Sequence, residues 1–238
     1  PVFDEGEMIL IPASPFMMGC DGSSDLCQPD EEPLHEVDLD AYSIDKYEVT
    51  NARYAACVRA GACSPPQKSS SWSRESYYGD ARFADYPVVN TDWKQADTFC
   101  RWEGKRLPTE AEWEKAARGS SQTRIYPWGY ASPDSSLLNF DGSAGDTTRV
   151  GSFPGGASPY GVMDMAGNVL EETQDWYDES YYSASPPANP TGPATGEFHV
   201  LRGGAWCSDR ENVRLANRSI TCSIHWTNFV GFRCARSR

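Results

Sequence analysis

Apolar and polar positions alternate with a helical period in three short stretches of this chain. The run Glu48-Val-Thr-Asn-Ala-Arg-Tyr-Ala-Ala-Cys57 predicts a helix that starts near Thr50, a suitable N-cap, and stops at Gly61. From about Asp92 to Trp102, the residues Trp93, Ala96 and Cys100 share one face by three- and four-residue spacing. In Pro108-Thr-Glu-Ala-Glu112 the Thr109 hydroxyl can accept from the Glu112 amide while the Glu112 carboxylate reaches back, a capping box. That helix is expected to run to Arg118 and to end at Gly119. Beyond it come only short strand-like pieces, Thr148–Phe153, Phe198–Arg202 and Gly231–Cys234, between Gly, Pro, Asn and Asp clusters. Ser183–Gly196 is Pro-rich and reads as a surface loop. No period of about 20 to 50 residues recurs, which sets solenoids and propellers aside. The pattern predicts an irregular, loop-rich α+β fold in a single domain over residues 1–238, without an internal linker.

Composition narrows the function classes. Lys plus Arg number 21 against 34 Asp plus Glu, a formal charge of −13, which disfavours nucleic acid as a partner. The balance suits a protein that holds cations on carboxylates. The longest mainly apolar stretch, Met8 to Met18, is interrupted by Pro12, Ser14 and Pro15, so no membrane span is expected. No basic-then-apolar leader is read in the chain, so any export signal is expected to have been trimmed or never to have been part of this sequence. Apolar residues at 39% and eight Trp supply enough surface for a core.

The eight cysteines include two close pairs with turn-forming spacers, Cys20-DGSSDL-Cys27 and Cys57-VRAGA-Cys63, which read as loop staples. No paired CxxC spacing occurs, and His35, His199 and His225 are isolated from one another, so disulfides are favoured over zinc. Oxidised cysteines imply an extracellular or periplasmic protein.

Several stretches, read in order, resemble the formylglycine-generating-enzyme (sulfatase-modifying factor) family. They are Tyr47-Glu-Val-Thr-Asn51, Tyr86-Pro-Val-Val-Asn90 with Trp93, and Cys100-Arg-Trp-Glu-Gly-Lys-Arg-Leu-Pro-Thr-Glu-Ala-Glu-Trp-Glu114 with Ala117-Arg-Gly119. Tyr126-Pro-Trp-Gly129, Val150-Gly-Ser-Phe-Pro154, Tyr160-Gly-Val-Met-Asp-Met-Ala-Gly-Asn-Val169, Leu201-Arg-Gly-Gly-Ala-Trp206 and Gly231-Phe-Arg-Cys234 complete the set. The resemblance covers essentially the whole chain. It implies a variant of the C-type-lectin fold with two short helices, small sheets and much ordered loop. It also implies that Cys100 pairs with Cys234, which leaves Cys207 and Cys222 to pair with each other.

Asp164, Gly167, Val169 and Glu171 lie in one tight run, and a hard cation such as Ca²⁺ takes carboxylate and turned-in carbonyl oxygens of this kind. The resemblance implies that these positions bind calcium through two side chains and two carbonyls, with Asp164 standing where the family usually has Asn. Its other calcium site matches Asn139 and Phe140, with Asp141 or Asp146 as the remaining acid in a shortened loop. One or two calcium ions are therefore the expected cofactors.

Family members that oxidise a sulfatase cysteine hold copper(I) on two cysteines past a Gly-Gly strand end, and soft thiolates select that ion. Here the first matching position is Ser208, and the second falls at or near Val213. Cys207 falls one residue early and is expected on the opposite side of an extended strand, within reach of Cys222. No copper is expected. Sulfoxide synthases share the domain, but their iron histidines sit largely in an additional helical domain, and no HxxxH spacing occurs here. A further branch acts in siderophore maturation. A triad of Ser208 and His225 lacks a strained nucleophile turn to support it.

The remaining residues have structural readings. Arg106, Glu110 and Glu114 suit an ion-pair network around the capped helix, and Arg214 and Arg218 suit internal pairing. Trp93, Trp102, Trp113, Trp128 and Trp206 suit core anchors. Asn217-Arg-Ser219 fits a glycosylation sequon. The expectation is an exported, calcium-stabilised, disulfide-bonded binding module that contacts a protein, peptide or glycan. Trp206, Ser208, Asp209, Arg210, His225, Trp226 and Asn228 are its contact candidates. The alternative is a non-copper enzyme that modifies a peptide or small molecule.

Overall fold

The computed structural model describes residues 6–22, 26–120, 124–220 and 227–238. Its first four strands are β1 (Met8–Ile11), β2 (Ser14–Met18), β3 (His35–Leu39) and β4 (Tyr42–Asp45). Three helices come next, α1 (Asn51–Arg59), α2 (Trp93–Trp102) and α3 (Glu110–Arg118). The last strands are β5 (Leu170–Trp176), β6 (His199–Arg202), β7 (Ser219–Ile220), β8 (Val230–Gly231) and β9 (Ala235–Ser237). The strands form three small sheets, β1-β4-β9, β2-β3 and β7-β6-β5-β8. In the last of these β5 pairs antiparallel with β6 and parallel with β8.

All three helices begin where their caps are written. Thr50 accepts from the Arg53 amide, and the Asp92 and Thr109 side chains each close a capping box, with Gln95 and Glu112 respectively. The stretch read as one apolar run from Met8 to Met18 is in fact two strands. Pro12 lies between them, and Phe16 and Met18 alternate inward. β3 does the same with Val37 and Leu39. Two strand expectations need correction. Thr148–Phe153 is irregular, with a turn at Val150–Gly151 where Gly151 has φ +72°, and the Gly151 amide binds the Asp164 carboxylate instead of a ladder partner. Gly231–Cys234 divides. Gly231 ends β8 beside β5, whereas the chain from Ala235 joins β4 as β9.

The packing rests on α3, whose nine residues are all buried although five are charged. Its apolar side, Ala111, Trp113, Ala116 and Ala117, packs with Ile11, Phe16, Val37, Leu39, Tyr42 and Ile44 from β1–β4. Its charges find partners far away in sequence. Glu114 accepts from Arg202 (2.5 Å) and Arg118 (2.7 Å), and Glu110 pairs with Arg218 (2.8 Å). Arg106 clasps Glu112 through two bonds of 2.6 Å, and Lys115 Nζ donates to the Pro12 and Ser14 carbonyls. Arg214 likewise binds Glu31. Charged groups survive burial only when paired in this way.

A second core joins α1, α2 and the C-terminal strands around Tyr54, Cys57, Phe99, Cys100, Phe232 and Cys234. Disulfides link Cys20–Cys27, Cys57–Cys63 and Cys100–Cys234, an arrangement compatible with an oxidising compartment. Cys207 is exposed and forms no disulfide among the described residues, while Cys222 lies outside them. No helix among the described residues is long and apolar enough to cross a membrane.

Candidate functional site

The segment after β6 forms the first half of the candidate surface. The chain leaves the strand at Arg202, and Gly203 and Gly204 both hold positive φ, turning the backbone sharply. Cys207 consequently does not sit on the extended path expected for it. Residues 205–208 close a turn in which the Ser208 amide donates to the Ala205 carbonyl (2.9 Å) and the Ala205 amide donates to the Ser208 hydroxyl (3.0 Å). Ser208 is therefore a turn-closing residue. Asp209 accepts on one oxygen from the Glu211 and Asn212 amides and from the Asn212 side chain, a local cap. Arg210 is exposed, and its carbonyl accepts from the Tyr126 hydroxyl. Val213 is buried among Tyr126, Leu138 and Ala166.

Trp206 is buried, with its indole N–H directed to the Asn228 carbonyl at 3.5 Å and its amide to the Asn168 carbonyl at 2.9 Å. Its ring lies 6.0 Å from that of Trp72, which is 67% exposed. His225 and Trp226 lie outside the described residues. Trp72 is not a candidate by sequence, because its Ser-Ser-Trp-Ser setting is that of any polar loop. Asn217 of the sequon is buried, and its Oδ1 accepts from Ser219.

The calcium candidates fall in two adjoining segments, since the Asn168 amide donates to the Asn139 carbonyl (2.9 Å). Asp164 and Asn168 both hold positive φ, so the run between them is wound tightly rather than extended. The Gly167 α-carbon packs against the Asn139 carbonyl, leaving no room for a Cβ. Val169 is buried. Asp164 accepts from the Gly151 amide (2.6 Å), and burial pushes its carboxyl up to about 6. Glu171 already accepts two 2.6 Å bonds from Arg233 and one of 2.8 Å from the Trp113 indole.

Phe140 is half-buried and Asp141 is exposed, the Asp141 amide donating to the Ser208 carbonyl. Asp146 is the acid drawn in beside Asn139, whose Nδ2 donates to the Asp146 carbonyl (2.9 Å). Burial would raise the Asp146 carboxyl, but bonds from Ser71, Ser73 and Thr147 hold it below its usual range.

Two buried oxygens in this region lack any hydrogen-bond partner, Asn139 Oδ1 and Glu48 Oε1. Orphaned, fully buried acceptors are what an oxygen-liganded hard cation would satisfy, so the residues present fit one. Glu48, another residue absent from the sequence candidates, is held far above its ordinary carboxyl range by burial and by Asp164 and Glu171. Elsewhere among the described residues three metal-donor side chains converge at Cys20, Asp21 and Cys27 and at Asp45, Glu103 and Cys234. Their sulfurs are tied in disulfides and offer no thiolate.

The sulfatase-modifying factor enzyme 1-like domain, as a family model, matches residues 1–238. The chain is 38% identical over 251 residues to the protein named serine/threonine-protein kinase pkn1 of Chlamydia caviae, covering 99% of this chain and 38% of that protein. It thus spans well under half the length of this relative. To the formylglycine-generating enzyme of Streptomyces coelicolor it is 32% identical over 276 residues, covering 95% of this chain and 88% of that one. Among solved structures, PvdO from Pseudomonas aeruginosa superposes with a TM-score of 0.82 at 29% identity, covering 98% of this chain and 95% of that chain.

Proposed function

The chain belongs to the sulfatase-modifying factor family, and on that premise we propose that it is an exported, calcium-stabilised binding module without the copper oxidase site. The observation that carries this reading is the state of the two positions where the resemblance puts copper thiolates. One is Ser208, whose hydroxyl accepts from the Ala205 amide. The other is Val213, packed in an apolar cluster. A copper(I) dithiolate needs two sulfurs, and neither residue has one. Three disulfides favour an oxidising destination.

The ligand, a protein, peptide or glycan, meets the surface where the exposed Trp72 lies against Trp206, in the segment that also carries the exposed Cys207 and Arg210. A large aromatic left in water on a rigid turn supplies contact area at little entropic cost. Calcium, where bound, would be held by oxygens of the Asp164–Glu171 turn and of Asn139–Phe140, and it would fix the loops that carry this surface. A chlamydial relative much longer than this domain fits a role as one part of a larger protein.

The test pairs an oxidation assay with a binding assay. Incubated with copper(I) and a sulfatase-type Cys-x-Pro-x-Arg peptide, the protein should yield no aldehyde by mass spectrometry. On peptide and glycan arrays, Trp72→Ala should lower retained signal roughly tenfold, in the range of an interface aromatic. Aldehyde formation, or equal array binding by the variant, overturns the reading.

One observation favours the second reading, a non-copper enzyme. Glu172 is buried, its Oε2 lacks a partner, and burial together with Asp92 pushes its carboxyl up to about 8. By strand alternation it points away from Glu171 and α3. A carboxyl protonated at neutral pH is a proton donor, the form in which an acid catalyst is held.

A further inference from the structure

The loop that carries Trp72 is closed by the Ser71 amide, which donates to the Arg74 carbonyl (2.9 Å), and it contains neither Gly nor Pro from residue 69 to residue 74. Trp72 is largely exposed, and among the described residues its indole makes no hydrogen bond and its ring contact is with Trp206. The residues on either side of it are tied down. Ser71 Oγ (2.6 Å), the Ser73 amide (2.8 Å) and Ser73 Oγ (2.9 Å) all donate to one oxygen, Asp146 Oδ2. Bonds to an ionised acceptor are stronger than those between neutral groups. Asp146 is buried and fixed in turn, with Asn139 Nδ2 donating to its carbonyl and the Thr147 amide to its Oδ1. Arg74 repeats the attachment. Its terminal nitrogens donate to Thr147 Oγ1 (3.0 Å) and to the Thr147 carbonyl (2.9 Å), and its guanidinium lies 4.7 Å over the Phe83 ring. At the other foot of the loop Asn90 Nδ2 donates to the Ser70 carbonyl (2.8 Å). Residues 70, 71, 73 and 74 are thus bonded to the body of the protein, and Trp72 between them faces water.

We infer that Asp146 is the positioning residue of the binding surface: by gripping Ser71 and Ser73 it holds Trp72 at a set angle to Trp206, so that the aromatic contact is formed before a ligand arrives. The inference rests on the reading of Trp72 as a ligand contact and adds what places it. The two rings lie 6.0 Å apart and 43° from parallel. Burial of Trp72 does not account for so many bonds to its neighbours, because an exposed side chain takes little apolar surface out of water. What the bonds do is restrict the backbone beneath it. An aromatic that is already held loses less freedom on binding than one that has to be immobilised, and the difference appears as affinity without any new contact. Asp146 need not touch the ligand to have this effect. Sequence gives no sign of it, since Asp146 and Trp72 stand in separate polar loops.

The test is the double variant Ser71→Ala/Ser73→Ala in the full chain, which removes two of the three bonds to Asp146 Oδ2 and leaves both Asp146 and Trp72 in place. Two indoles held this close give an exciton couplet in far-UV circular dichroism, read as the difference between each protein and the same protein carrying Trp72→Phe. The wild type should show the couplet, and the double-serine variant should lose most of it while keeping its helical signal well below the melting temperature. On the peptide and glycan arrays its retained signal should fall roughly 2- to 10-fold, the range for immobilising one large side chain on binding. Ser180→Ala, which removes a comparable hydroxyl–carboxylate bond to Asp178 (2.7 Å), should change neither readout. A wild type without the couplet, or a couplet undiminished in the double-serine variant, overturns the inference. A couplet lost with array binding unchanged upholds the grip on Trp72 and overturns the reading of that residue as a ligand contact.

Discussion

Replacing both Cys100 and Cys234 with Ala should destabilise the protein far more than the same change at Cys57 and Cys63. The first bond joins residues 134 apart and the second residues 6 apart. In the chain-entropy model, closing those loops is worth about 5 and about 2 kcal/mol at 25 °C. All four sulfurs belong to one apolar cluster, with Cys100, Cys234 and Cys57 fully buried and Cys63 nearly so. The cavity terms are therefore comparable, and the loop-closure difference of about 3 kcal/mol should survive the subtraction. For a chain of this size that corresponds to a melting temperature lower by roughly 6 to 12 °C in the Cys100/Cys234 double variant.

The damage begins at the C-terminal strand. Cys234 precedes β9, whose Ala235 exchanges backbone bonds of 2.7 and 2.9 Å with Arg106 in the approach to α3. Without the disulfide, β9 is held by its pairing with β4, by this bridge and by side-chain bonds such as that from Arg106 to the Ser237 hydroxyl (2.9 Å). Calorimetry or circular dichroism melts of the two double variants, run without reductant, give the comparison directly. Melting temperatures within about 2 °C of each other, or a larger loss at Cys57/Cys63, would refute loop closure as the source of the stabilisation.

The ion pairs give two further outcomes. Glu114→Ala leaves Arg118 buried without its carboxylate and Arg202 with only the longer 3.6 Å contact to Glu110, and should cost about 3 to 5 kcal/mol in urea unfolding. A loss under about 1 kcal/mol would mean water reaches them. Burial would raise the Glu110 carboxyl, but the guanidinium groups of Arg218 and Arg202 hold it below its ordinary 4.5. A depressed folded-state value contributes stability that is complete above the unfolded value and disappears as pH falls through the folded one. The stability gap between wild type and Glu110→Gln should therefore narrow on acidification from about pH 6 to about pH 3, and a gap independent of pH counts against the pair.

The helices were legible because their signals are local: a capping residue and its partner three positions on are both written in the chain. The first four strands were not, since each has only four or five residues and two inward-facing side chains settle its face. Val150-Gly-Ser-Phe153 carries strand-like residues, but its Gly151 amide is used by Asp164, which no local pattern announces. At the candidate site, residue type alone shows that Ser208 and Val213 carry no sulfur. Glu48 could not, because what marks it is an oxygen left without a donor beside acids more than a hundred residues away.

The most family-specific run in the chain serves the scaffold. In Gly104-Lys-Arg-Leu-Pro-Thr-Glu-Ala-Glu-Trp-Glu114 nearly every polar side chain has a structural partner. Lys105 bonds to Asp45 and Glu103, Arg106 to Glu112, Glu110 to Arg218, Trp113 to Glu171 and Glu114 to Arg202. Such a run reports how α3 is locked to distant segments, and a chain with this fold needs those partners whatever it binds. Ser208, the first position where the resemblance puts a copper thiolate, belongs to a different level of the architecture, a turn after Gly204 whose backbone is fixed by its own short-range bonds. Val213 sits apart from it in an apolar cluster, and neither Ser208 nor Val213 takes part in an α3 ion pair. The helix motif therefore speaks for the scaffold, and function has to be argued from the loop residues.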